Sequence, residues 1–88
     1  MVLIEVLTSP TCRYCDAAKL LVSKVVEDVK TSIPEIRVKI IDLKEHPEVG
    51  YKYDVMATPA IAIDGKLVFV GVPKEDELRR ILSPIRAE

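Results

Sequence analysis

The sequence predicts an α/β domain in which three helices cover a four-stranded mixed sheet, in the order β-α-β-α-β-β-α. Three observations favour this fold. Apolar runs of strand length alternate with a helical period along the chain. An Asp64-Gly65 pair between two apolar runs is the strongest local signal of a hairpin. The crossover between the first two strands should be right-handed and make them parallel, so the hairpin adds an antiparallel pair. With 88 residues, we expect one domain over residues 1–88.

The first half of the chain supplies a strand, a helix and a second strand. "VLIEVL", Val2 to Leu7, is nearly continuously apolar and is typical of a strand buried on both faces. A helical period follows, and its apolar side comprises Ala18, Leu21, Val22, Val25 and Val29. In the strand predicted from Ile36 to Leu43, apolar residues alternate with Arg37 and Lys39. We expect one face of that strand to be wetter than the other.

The second half supplies a short helix, the hairpin and a closing helix. "HPEVGYKYDV" predicts a helix that His46 and Pro47 open, with its tyrosines in the core or at its boundary. "ATPAIAIDGKLVFV" predicts the hairpin. "PKEDELRRIL" predicts a last helix with acids early and arginines late, as its dipole favours. We expect Ser83-Pro84 to end it.

Composition excludes several classes of protein. Thirteen Lys and Arg balance fourteen Asp and Glu, for a formal net charge of −1. Neither a basic stripe nor a basic excess indicates nucleic acid as a partner. The longest apolar runs fall short of the roughly 20 residues that a membrane helix needs. The N-terminus lacks the basic leader and long apolar stretch of a signal peptide. We therefore expect a cytoplasmic protein.

The two cysteines of the chain, Cys12 and Cys15, stand two residues apart in "SPTCRYC". A structural zinc site usually takes four ligands, and this chain offers only two Cys and the distant His46. The metal-binding alternative that stays open is a metal shared between two chains. A purely structural bridge across so short a loop removes little chain entropy, and folds that depend on such staples carry several. Inert core thiols fit poorly in a turn flanked by Arg13 and Asp16.

A redox role explains more of the pattern. Cys12 is predicted where a strand feeds the N-terminus of a helix, and there free backbone N–H groups and the helix dipole favour a thiolate. Arg13 adds a fixed positive charge beside it. Cys15 lies one helical turn later, within disulfide reach, and is expected to be the more buried thiol. The spacing thus supplies an attacking thiolate and a resolving thiol.

With these residues in place, the sequence resembles the thioredoxin superfamily, and most of all its small, glutaredoxin-sized members known from archaea. The resemblance rests on "TSPTCRYC", "YDVMATPAIAI" and "VFVGVP", in that order and spacing. It implies a thioredoxin-like fold in which Pro59 is a cis-proline beside the active disulfide. It also implies that the residue before it, Thr58, offers its backbone to an extended substrate segment, and that Gly71 lies near the site.

Three departures from the family pattern shape the expectations. The buried acid of the first strand in thioredoxins corresponds to apolar Val6 here, so deprotonation of Cys15 must use water or another group, with Glu5 directed elsewhere. The Arg13-Tyr14 pair between the cysteines is typical of neither thioredoxins nor glutaredoxins. The residues that hold glutathione in glutaredoxins are poorly matched, which favours a protein reductase as the electron donor.

The sequence thus predicts a protein dithiol–disulfide oxidoreductase with Cys12 and Cys15 as catalytic residues. Arg13, Tyr14, Ala57, Thr58 and Pro59 are the predicted substrate-binding residues. We expect no bound cofactor or metal, disulfide-containing proteins as substrates, a thioredoxin-reductase-type electron donor, and a monomer that binds neither nucleic acid nor membrane. The alternatives are a glutathione-linked glutaredoxin and, in a different class, a non-catalytic module whose cysteines bridge two chains through a metal.

Overall fold

Residues 2–86 of the chain are described by a computed structural model, with burial and side-chain contacts described for residues 2–82. The described residues form four strands and three helices in the predicted order. The elements are β1 (Val2–Thr8), α1 (Cys15–Val29), β2 (Ile36–Asp42), α2 (Pro47–Tyr53), β3 (Ala60–Ile63), β4 (Lys66–Val70) and α3 (Glu75–Arg86).

The sheet is mixed, with strand order β2-β1-β3-β4. β1 pairs in parallel with β2 and antiparallel with β3, and β3 pairs antiparallel with β4. The hairpin turn is Asp64-Gly65, and both residues have positive φ angles, 51° and 83°. Those angles are typical of the tight two-residue hairpin turn that an Asp-Gly pair favours. The predicted four-stranded mixed sheet with three helices is confirmed.

Two apolar clusters cover the two faces of the sheet. On one face, which we call the aliphatic face, residues from β1, β3, α1 and α3 pack together, among them Ile4, Val6, Val22, Ile61 and Leu78, all 0% exposed. On the other face, the α2 face, a smaller cluster forms around Leu7, Ile41, Val55 and Ala60, with Val49 and Tyr53 of α2 packed against it. Adjacent Val6 and Leu7 belong to different clusters because successive side chains of a strand point to opposite faces.

Three local expectations are wrong. Tyr51, expected in the core or at its boundary, is 77% exposed. In β2 the alternation does not bury one side, since Val38 and Ile40 are 36% and 48% exposed, and the reason is that β2 is an edge strand. Finally, α3 does not end at Ser83-Pro84 but reaches Arg86. A proline removes one helical hydrogen bond, and here the helix continues without it.

Candidate functional site

The register of the sheet brings the cysteine motif and the Thr58-Pro59 motif to the same edge. Leu7, near the end of β1, lies opposite Ala60, the first residue of β3. Because these strands are antiparallel, the chain that leaves β1 towards Cys12 passes beside the chain that enters β3 through Pro59. Two motifs nearly fifty residues apart in sequence thus meet at one end of the sheet.

Cys12 and Cys15 are joined by a disulfide, with their Cα atoms 5.5 Å apart. That separation lies in the usual range for a disulfide. Cys12 belongs to the turn before α1 and is half-buried, whereas Cys15 is the first residue of the helix and is 4% exposed. The Cys12 amide donates to the carbonyl of Ser9 at 3.2 Å, which closes the turn. An incoming sulfur therefore reaches Cys12 more easily than Cys15.

The N-terminus of α1 points its unsatisfied amides towards this turn. Tyr14 occupies the cap position, and in the described part of the chain no side chain makes a capping hydrogen bond there. Free N–H groups at a helix N-terminus stabilise a negative charge that lies close to them on the helix axis. The one acid in the first turn, Asp16, is 91% exposed and pairs with Lys19 at 3.2 Å. Arg13 is exposed between the two cysteines.

The Thr58-Pro59 peptide bond is cis, the geometry that the family resemblance implies. Pro59 is buried, Thr58 is half-buried and Ala57 is exposed. The carbonyl of Pro59 accepts a hydrogen bond from the amide of Gly71 at 2.7 Å. Gly71 has a φ angle of 95°, a conformation that side-chain-bearing residues rarely adopt, which accounts for glycine at this position.

Exposed apolar side chains occur in the three chain segments that meet at this end of the sheet. Tyr14, between the cysteines, is 58% exposed, Met56 is 89% exposed and Val72 is 43% exposed. We call these three residues the apolar rim. Met56 also lines a shallow cavity of about 110 Å³ on the α2 side, beside Tyr51 and Val55. Large exposed apolar groups next to a reactive group are typical of a surface that contacts other molecules.

A polar pair lies on the α2 face and consists of buried Glu5 and half-buried Tyr53. Glu5 is only 9% exposed, and its carboxylate accepts a hydrogen bond from the phenol of Tyr53. Burial, together with that hydrogen bond and the negative charge of Glu5, raises the pKa of Tyr53 to about 12. Val6, where the resemblance places a buried acid, lies instead in the aliphatic cluster on the opposite face.

The comparisons with known proteins agree with this geometry. A family model for the thioredoxin domain matches residues 2–83. The chain belongs to the thioredoxin family. It is 40% identical over 76 residues to a thioredoxin of Methanocaldococcus jannaschii, a match that covers 85% of each chain. It is 43% identical over 84 residues to a probable thioredoxin of Methanothermobacter marburgensis, covering 94% of each.

Among solved structures, a protein disulfide oxidoreductase of Aeropyrum pernix superposes with a TM-score of 0.84 at 38% identity. That match covers 98% of this chain but 38% of the Aeropyrum protein, so this chain corresponds to a part of it. Family membership, these relatives and the Cys12–Cys15 disulfide together make this thioredoxin-family chain a dithiol–disulfide oxidoreductase. Proteins of this family act on disulfide substrates and are reset by reductases.

Within residues 2–86, no three side chains of His, Cys, Asp or Glu come close enough together to hold a metal ion. The helices of the same residues include none with the length and apolar character that crossing a membrane requires.

Of the predicted site residues, the structure joins Cys12 to Cys15 and places Thr58 and Pro59 beside their turn, while Arg13 and Tyr14 project between the cysteines into solvent. Sequence reasoning did not identify three residues whose side chains contact this region. Ser9 reads as an ordinary turn residue, and its contact with Thr58 spans 49 positions. Glu5 and Tyr53 lie 48 positions apart, and the one available signal was an acid within an otherwise apolar strand.

Proposed function

We propose that this thioredoxin-family chain reduces disulfides in other proteins as a single-domain, cytoplasmic monomer, with Cys12 as the attacking thiol and Cys15 as the resolving thiol. The difference in accessibility within the pair carries the assignment: Cys12 is half-buried in the turn, and Cys15 is 4% exposed at the start of α1. Only the accessible sulfur is placed to meet a disulfide in a folded partner.

The reaction proceeds by two thiol–disulfide exchanges. The Cys12 thiolate, stabilised by the free amides of α1 and by Arg13, attacks one sulfur of the substrate disulfide. The other substrate sulfur leaves as a thiolate and takes up a proton. Cys15 then loses its proton to water and attacks Cys12 Sγ, which breaks the mixed disulfide and releases the second substrate thiolate. The second substrate thiolate also takes up a proton from water. Two electrons have then passed from the dithiol to the substrate, and the Cys12–Cys15 disulfide remains.

Substrate contact is assigned to the surface around the disulfide. Arg13 and Tyr14 lie between the cysteines, and Ala57, Thr58 and Pro59 form the neighbouring loop. The apolar rim adds contact area without a deep cleft, which suits a carrier that binds many partners briefly. A thioredoxin-reductase-type donor would return the disulfide to the dithiol.

The assignment of roles is tested by trapping. The Cys15→Ser variant, reduced and then mixed with native insulin, whose disulfides are intact, should accumulate a mixed disulfide on Cys12 that mass spectrometry locates and dithiothreitol releases. Cys12→Ser is the matched control and should form no adduct. An adduct on Cys15 in the control, with none on Cys12 in the first variant, would reverse the two roles.

The direction of electron flow is tested by equilibrium. The protein is placed in graded glutathione redox buffers, and each thiol species is quantified by mass spectrometry. A two-electron transition near −270 mV, about the value of thioredoxin, with no glutathione adduct, would support a reductant. A transition at a higher potential, about −180 to −120 mV, would indicate an oxidase or isomerase. A persistent adduct on Cys12 would indicate a glutathione-linked glutaredoxin.

A further inference from the structure

The turn that carries Cys12 and the loop that carries Pro59 are joined by two side-chain hydroxyls. Ser9 Oγ lies 3.1 Å from Thr58 Oγ1 in a part-buried position, and either group can be the donor. The backbone carbonyl of Ser9 accepts from the Cys12 amide. Ser9 therefore contacts Cys12 through its backbone and the residue before Pro59 through its side chain. We call the contact between the two side chains the hydroxyl bridge.

The segment that ends at Thr58 is fastened at both of its ends to the same stretch of chain. At its start, Tyr53 closes α2 and donates to Glu5 of β1. At its end, Thr58 meets Ser9 in the hydroxyl bridge. Ser9 follows Glu5 by four positions along the chain, so β1 and the turn after it hold both ends of residues 53–58.

Between those two attachments, the backbone is open. In the described part of the chain, the backbone N–H and C=O groups of Met56, Ala57 and Thr58 make no hydrogen bond. Met56 and Ala57 are exposed. Ala57, Thr58 and Pro59 form a bend before β3, and accessible backbone groups without partners are what an extended peptide can pair with through main-chain hydrogen bonds. Residues 56–58 therefore offer a short template to a peptide substrate.

We propose that Ser9 is a positioning residue for protein substrates, which acts through the hydroxyl bridge by holding this template in register with Cys12. The inference rests on the proposed reduction of protein disulfides. Without the Ser9 hydroxyl, the side chain of Thr58 loses the contact that holds it to the cysteine turn. A peptide lying on residues 56–58 is then held less firmly while its disulfide approaches Cys12 Sγ.

Substrate size separates this role from a general structural one. Hydroxyethyl disulfide has no peptide backbone to lie on residues 56–58, so its reaction with Cys12 does not depend on the bridge. Insulin presents its disulfides within peptide chains. A loss of positioning slows the reaction with insulin alone, whereas damage to Cys12 or to the turn slows both reactions.

The test uses single-turnover oxidation of the fully reduced protein by each disulfide at limiting concentration, followed by stopped flow. Ser9→Ala should lower the rate constant with insulin about three- to tenfold, the size of effect that one lost hydrogen bond allows. The rate with hydroxyethyl disulfide should stay within about twofold on the same reasoning. Ser9→Thr, which retains a hydroxyl, should restore most of the insulin rate.

A double-mutant cycle tests whether Ser9 acts through Thr58. Thr58→Val removes the other hydroxyl and keeps the branched shape, and the double variant should react with insulin no more slowly than the slower single variant. Ser23→Ala makes the same change as Ser9→Ala on the exposed side of α1 and should match the wild type. Thermal unfolding of each variant confirms that it is folded at the assay temperature.

The outcomes are distinguishable. If Ser9→Ala slows both disulfides equally or slows neither, or if the two single effects simply add, the positioning role is wrong and the proposed function stands. If the wild type reduces hydroxyethyl disulfide but not insulin, the proposed function itself fails, and the role of Ser9 fails with it.

Discussion

The two faces of the sheet are built on different principles. The aliphatic face buries a continuous aliphatic cluster between the sheet and helices α1 and α3. An ion pair lies on its surface, where Lys24 of α1 pairs with Glu75 of α3 at 2.9 Å. The α2 face has a smaller apolar cluster and includes the hydrogen-bonded pair of Glu5 and Tyr53. It also leaves Tyr51 and Met56 largely exposed.

This difference separates two tasks of the molecule. Continuous aliphatic packing stabilises a fold through the area removed from water and is insensitive to the direction of any single contact. A hydrogen-bonded pair such as Glu5 and Tyr53 contributes less free energy but fixes a direction, in this case that of the segment leading to Thr58. Stability should therefore reside mainly on the aliphatic face, and control over the loop beside Cys12 mainly on the α2 face.

The largest expected effect comes from a cavity in the aliphatic face. Leu78→Ala empties a fully buried site and should lower the free energy of unfolding by about 3 kcal/mol. The matched control is Leu67→Ala, the same change at a half-buried position on the α2 face, with an expected cost of less than half that. Urea unfolding of both variants measures the contrast. Equal costs would show that the two faces share the stability.

A smaller effect is expected from the polar pair. Tyr53→Phe removes the hydroxyl that donates to Glu5 and should lower the free energy of unfolding by about 1 to 2 kcal/mol at pH 8, because a buried carboxylate loses its donor. Urea unfolding gives this value directly. Glu5→Gln keeps an acceptor for the phenol and serves as the control, so it should cost less. If Tyr53→Phe leaves the free energy of unfolding unchanged, the pair does not stabilise the α2 face.

The same pair predicts a pH dependence. Since the pKa of Tyr53 is raised to about 12 in the folded state, its contribution is fully present below the unfolded value near pH 10. It is lost as the pH rises towards 12, because the phenol ionises first in the unfolded chain. The stability advantage of the wild type over Tyr53→Phe should therefore shrink between pH 10 and 12. The difference in phenolate absorbance between the two proteins should titrate near pH 12, and a midpoint near 10 would contradict the burial of this phenol.

The smallest effect is expected outside the aliphatic face. Hydrogen bonds from Lys24 and Arg79 lower the pKa of Glu75, so its contribution is present at neutral pH and is lost as the pH falls through the folded-state value. Glu75→Gln should lower the melting temperature slightly at low salt. The difference from the wild type should vanish in about 1 M salt, because salt at that concentration screens exposed ion pairs. Glu27→Gln removes an equal charge from an exposed position of α1 and is the control for calorimetry. A salt-independent loss would assign Glu75 another role.

Much of this architecture was predictable because its signals are local. Asp64-Gly65 determines its own turn. The spacing of Cys12 and Cys15 by itself brings the two sulfurs within bonding distance at the start of a helix. The contacts of Ser9 and Glu5 were not predictable, because their partners lie 49 and 48 positions away. The pairing of β1 with β3 brings Thr58 to Ser9, and the packing of α2 on the sheet brings Tyr53 to Glu5. Val38 and Ile40 alternate like half-buried residues, but no periodicity reveals that their strand lies at an edge.

The central position of β1 has a consequence for how the protein works over many cycles. β1 is paired along both of its sides, with β2 from Val2 to Thr8 and with β3 from Ile4 to Leu7. Amides held in this way exchange their hydrogens with solvent only when the sheet itself opens, so β1 should exchange among the slowest segments. Cys12 lies four residues beyond Thr8, outside the paired strand. The reactive sulfur can change its bonding partner repeatedly while the strand beneath it keeps its hydrogens.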